Sequence, residues 1–105
     1  MRILFDQGVP VPLRRHLTGH TVATAFERGW SNLSNGELTR AAELELELLV
    51  TTDQSLRYQQ NLTGRRIAIL VSPTTRWPEI QMNADRVLAA VNTMKPGEFR
   101  ELNWK

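Results

Sequence analysis

The chain has 105 residues, 41% hydrophobic and 23% charged, with 13 Lys and Arg against 11 Asp and Glu and no cysteine. That length supports one core, read as a single domain over 1–105. The missing cysteines exclude disulfide scaffolds, thiol nucleophiles and zinc sites built on thiolates, and no apolar run approaches the roughly 20 residues that span a bilayer.

Eleven of the thirteen cations are arginine. Arginine's planar fork suits bidentate phosphate contacts and ion pairs better than lysine does. The excess therefore favours an anionic partner, with composition bias as the alternative explanation. A first strand beginning at Arg2 leaves no room for a signal peptide, so the expected location is the cytoplasm and no membrane partner is expected.

In chain order, "RILF" (2–5) is a short apolar run stopped by Asp6-Gln7-Gly8, the pattern of a buried strand and a turn. In "VPVPLRRHLTGH", Pro10 and Pro12 sit where a helix starts, Leu13 and Leu17 are four apart, and Thr18-Gly19 closes a short helix with Arg14 and Arg15 on its polar side. "HTVATA" (20–25) mixes β-branched residues and alanine as a second strand does. The next segment is loop until Ser34, which with Glu37 has the S-x-x-E spacing of a capping box ahead of Leu38, Ala41 and Ala42.

A third strand is placed at 47–51, although the alternating Leu and Glu before it fit either period. "RRIAILVS" (65–72) reads as a fourth, wholly apolar strand. "WPEIQMNADRVLAAVNTM" (77–94) reads as one amphipathic helix with Ile80, Val87, Leu88 and Val91 on its inner face, ended by Lys95-Pro96-Gly97. "EFRELNW" (98–104) alternates like an edge strand, and its Phe99, Leu102 and Trp104 are candidates for pairing in a homodimer or for the core.

Apolar strands separated by helices predict an α/β protein: a doubly wound, mostly parallel sheet of four to five strands with helices on both faces. Such sheets bind ligands at the carboxyl ends of their strands, where strand order reverses. Asp6 and Asp53 follow the first and third strands. In the order 2-1-3-4 those strands are neighbours, about 4.8 Å apart, and the two acids converge on one crevice. Ionised together they repel, and a divalent cation resolves the conflict. Mg²⁺ or Mn²⁺ suits hard oxygen ligands from one or two carboxylates plus water and phosphate.

Glu37 and Glu27 can add ligands from the same edge. Against this stand simpler roles: helix capping for Asp6 and Asp53, and the capping box for Glu37. Other chemistries lack their residues. Position 8 is Gly8, where a haloacid-dehalogenase-like phosphatase needs a second Asp, and no glycine-rich phosphate loop occurs. His16 and His20 have no zinc-motif spacing with carboxylates.

The blocks "ILFDQGVPVPLRRHL", "GHTV", "ERGWSNLSNGEL", "LLVTTDQSLRYQQNL" and "RIAILV", in this order and spacing from about residue 2 to 92, resemble the small PIN-like proteins of bacterial toxin-antitoxin pairs, relatives of VapC-type ribonucleases. The resemblance implies a PIN-like fold and metal-dependent cleavage of RNA by a cluster of three or four acids holding one or two Mg²⁺ or Mn²⁺ ions. By position, Asp6 matches the first-strand acid and Asp53 the acid of the "T-x-D" strand end, while Glu27 matches an acid of the second segment. Relatives often carry "S-D-E-E-I-L" at the next helix. Here Asn35 stands for the Asp, and Glu37 is the surviving carboxylate.

The expected catalytic set is thus Asp6, Asp53 and Glu37, with Glu27 as a further metal ligand. Arg57, Arg14 and Arg15 are expected to offset phosphate charge, and Gln59 and Asn61, with Gln60, to hydrogen-bond the RNA backbone. Tyr58 or Trp30 can stack on a base or pack in the core. A cognate antitoxin is the expected protein partner. Competing readings are a catalytically degenerate PIN-like module that binds RNA or a protein, and a nuclease directed at DNA.

Overall fold

A computed structural model of the chain describes residues 1–58 and 66–104, with the backbone alone for Asn35, Arg57 and Tyr58. The expected RNA contacts Gln59, Gln60 and Asn61 lie outside the described residues, as does the side chain of Arg57.

Five strands form one sheet in the order β2-β1-β3-β4-β5: β1 (Arg2–Phe5), β2 (Thr21–Thr24), β3 (Leu48–Thr51), β4 (Ala68–Val71) and β5 (Phe99–Glu101). All four pairings are parallel. The expected order 2-1-3-4 is present and extended by β5 as an edge. β1, β3 and β4 read as near-continuous apolar runs because both faces of the sheet are covered. The pleat sends Ile3 and Phe5, Leu48 and Val50, and Ala68 and Leu70 to one face, while Leu4, Leu49, Ile69 and Val71 go to the other.

The first face packs on a 3₁₀ helix (Val11–His16) through Leu13, and on helices α2 (Trp77–Met82) and α3 (Ala84–Thr93) through Ile80, Val87 and Val91. The second packs on α1 (Asn35–Glu43) through Leu38 and Ala42, and on a second 3₁₀ helix (Gln54–Tyr58) through Leu56. The result is a doubly wound α/β architecture.

The capping box that starts α1 is present in both directions: Ser34 Oγ accepts from Glu37 N (3.3 Å), and Glu37 Oε1 accepts from Ser34 N (3.0 Å). The single helix expected over 77–94 is instead two. Asn83 ends α2 and precedes α3 with φ −114° and ψ 17°, and its Nδ2 donates to the Glu79 carbonyl oxygen at 2.9 Å. A short amide side chain that bonds the backbone locally competes with the helical ladder, and the chain turns there. Phe99, Leu102 and Trp104 are half-buried and pack against this chain's own two core clusters. No helix among the described residues is long and apolar enough to cross a membrane.

Candidate functional site

Strand order reverses between β1 and β3, so the crevice outside their carboxyl ends is the place where this architecture binds ligands. The ladder continues one residue past β1, where Asp6 N donates to Val50 O at 2.9 Å. Asp6 therefore stands beside Thr51, the last residue of β3. Thr51 is fully buried, and its hydroxyl joins the two acid-bearing segments: Oγ1 donates to Asp6 Oδ2 (2.9 Å) and accepts from Asp53 N (3.1 Å). The other Asp6 oxygen, Oδ1, accepts from Gln7 N at 2.7 Å.

A second contact holds the loops together. Gly8 lies so close to Thr52 that a Cβ on it would sit 2.1 Å from Thr52 Oγ1. Only a residue without a side chain permits that approach.

Asp53 is half-buried, and its Oδ1 accepts from both Ser55 N (2.9 Å) and Ser55 Oγ (2.6 Å). This is the capping role weighed for it above, at the start of the second 3₁₀ helix. Beyond it, Gln54 Nε2 donates to Ser72 O (2.6 Å), tying this loop to the end of β4.

A cleft of about 400 Å³ opens beside Asp6, lined by Gln7, Val9, Val11, Arg14, Thr24, Ala25, Phe26 and Glu27 as well. Asp6 and Glu27, expected to approach one another, do share this cleft, and Asp53 is not among its walls. Glu27 arrives there for a local reason. Thr24-x-x-Glu27 repeats the capping-box geometry without a following helix: Thr24 N donates to Glu27 Oε1 (3.0 Å), and Glu27 N donates to Thr24 Oγ1 (3.0 Å). The spacing T-x-x-E is visible in the sequence and could have revealed this. Arg14 Nη2 also donates to Glu27 Oε1 at 3.0 Å, so part of the charge expected to meet phosphate is matched within the chain.

The Thr24 amide, then the Arg14 guanidinium, holds the Glu27 carboxyl below the ordinary glutamate value. The Ser34 amide does the same for Glu37. Glu37 is exposed, committed to its capping box, and not a wall of the cleft. Arg15 is exposed on the 3₁₀ helix. Trp30 is half-buried and packs against the core, with Arg28 over its ring at 5.4 Å.

The donors fit a hard divalent ion in kind, but fall short of the cluster of three or four acids that the resemblance implies. Asp6 and the Asp53 segment meet at one hydroxyl, and carboxylate oxygen is what Mg²⁺ and Mn²⁺ accept. Among the described residues, however, no group of three or more His, Asp or Glu is arranged to hold a metal ion. The structure brings together Asp6, Thr51 and the Asp53 backbone on one side, and Asp6, Glu27 and Arg14 on the other. It leaves Glu37 apart. Comparisons with protein-family models, curated proteins and solved structures give no match to this chain.

Proposed function

We propose that the chain is a metal-dependent ribonuclease, the toxin of a toxin-antitoxin pair, working at the crest where β1 and β3 end. The observation that carries this reading is the Thr51 hydroxyl, buried between Asp6 Oδ2 and Asp53 N at the switch point of a parallel sheet. In this reading Asp6 and Asp53 are the residues that would hold one Mg²⁺ or Mn²⁺, ions commonly bound through only one or two protein carboxylates. When bound, such an ion lowers the pKa of a water ligand and polarises a phosphate.

The chain's own residues do the rest. Thr51 orients the Asp6 carboxylate. Arg15, Arg57 and the Glu27-paired Arg14 draw the RNA backbone toward the crest by charge. A cognate antitoxin that covers the cleft beside Asp6 silences the protein.

A second reading, an RNA-binding module without catalysis, is favoured by one specific observation. Two of the four expected acids, Glu27 and Glu37, are used in capping boxes, and Glu27 is also paired with Arg14. Cleavage of a labelled single-stranded RNA with Mn²⁺, and growth arrest on expression, separate the two. The nuclease reading expects cleavage and arrest by the wild type, both abolished in Asp6→Asn and Asp53→Asn. Binding without cleavage in all three supports the module instead.

A further inference from the structure

The cleft beside Asp6 carries an aromatic ring to which the proposed chemistry assigns no work. Phe26 is 80% exposed, although burying such a side chain is worth roughly 1.5–3 kcal/mol. It is not carried on a loosely held loop. Arg28 N donates to Thr24 O (3.1 Å), Gly29 N to Phe26 O (3.1 Å) and Trp30 N to Ala25 O (2.8 Å), around the reciprocal Thr24 and Glu27 bonds. Gly29, at φ +73°, takes the left-handed conformation that lets the turn close. Backbone hydrogen bonds therefore close the turn that carries Phe26.

Around that ring the cleft combines an apolar lip, Val11 at 52% exposure, with polar walls from Asp6, Gln7, Arg14 and Glu27. Its volume of about 400 Å³ falls within the roughly 300–1,000 Å³ range of small-ligand sites. A flat ring beside an amide that both donates and accepts matches a nucleobase, which has a π face to stack and polar edges to satisfy. Asp6, Arg14 and Glu27 already have partners within the chain, and the exposed Gln7 amide offers a donor and an acceptor to a base edge.

We propose that Phe26 is a base-stacking platform for single-stranded RNA, holding one base in the cleft beside Asp6. This deepens the reading of the chain as acting on RNA and rests on it. Phe26 is a positioning residue here, and its readout is binding without metal.

The test is fluorescence anisotropy of a labelled single-stranded RNA decamer in EDTA, with the wild type, Phe26→Ala, Phe26→Leu and Phe26→Trp. The same decamer with abasic sites serves as the second probe. The exposed position predicts unchanged melting temperatures for all variants. Alanine and leucine are expected to weaken binding about tenfold, the size of one base–aromatic stack. Tryptophan is expected to preserve binding, and the abasic strand to be indifferent to all three substitutions.

Equal binding by wild type and Phe26→Ala overturns the platform while leaving the RNA reading intact. Full affinity in Phe26→Leu, or an equal loss on the abasic strand, also overturns it, because neither depends on a flat ring meeting a base. A wild type that binds no RNA overturns both the platform and the reading beneath it.

Discussion

Thr51 is the residue on which the two acid-bearing segments depend. Its hydroxyl is buried, donates to one carboxylate and accepts from the amide leading to the other. Thr51→Val keeps the shape and removes both bonds, leaving Asp6 Oδ2 and Asp53 N without this partner. Leaving a buried polar group unsatisfied costs about 1–3 kcal/mol, so urea denaturation should show a loss of that size, with Thr51→Ser close to wild type. Groups that orient metal ligands typically change metal affinity about 10- to 100-fold when removed. If an ion sits at the crest, Thr51→Val should weaken Mn²⁺ binding by that factor.

The positions of Asp6 and Asp53 were legible in the sequence because Asp6 directly follows an apolar run, Asp53 follows one after two threonines, and a strand of four residues leaves little choice of where it ends. The role of Thr51 was not, since a hydroxyl's partners come from a strand 45 residues away. Phe26 was equally hidden, because exposure is a property of the folded surface and not of a residue type.

At the scale of elements, the contact of the β1 loop with the β3 loop is set by Gly8. A Cβ at that position would lie 2.1 Å from Thr52 Oγ1 and 3.6 Å from Thr75 Cγ2. Overpacking of this kind typically costs about 1–3 kcal/mol. Gly8→Ala should be destabilised by such an amount, and Gly8→Ala combined with Thr52→Ala should recover most of it. A double-mutant cycle with no coupling between the two positions would contradict the contact.

The capping boxes make a second prediction. Glu27 and Glu37 both sit below the ordinary glutamate value of 4.5 in the folded chain. Their folded forms therefore give up protons more readily than the unfolded chain does. The stability they contribute is fully present above about pH 4.5 and is lost as pH falls through their folded values. The double substitution Glu27→Gln and Glu37→Gln keeps hydrogen-bonding side chains that do not titrate, and its acid loss of stability should be shallower than that of the wild type. An unchanged slope would show that the boxes do not contribute in this way. The Ser34 box was readable from its spacing together with the apolar face behind it. The split at Asn83 was not, because periodicity alone runs straight through an amide that turns aside to bond Glu79.

Across the whole molecule, the sheet order follows from the alternation of apolar strands and helices, and the switch point follows from the order. The arginine excess is met in part within the chain: Arg2, Arg14, Arg28 and Arg100 form ion pairs with Glu47, Glu27, Glu45 and Glu98. Among the described residues, Arg15 lies exposed on the first 3₁₀ helix, while Arg40 and Arg66 share a separate pocket with Glu43 and Leu44.

The central claim is that the carboxyl ends of β1 and β3 form a divalent-cation site. Calorimetric titration of the full chain with Mn²⁺, beside Asp6→Asn, tests it most directly. Saturable binding by the wild type that is lost in the variant is the result predicted here. An absence of saturable binding in the wild type, or equal binding by both proteins, would contradict it.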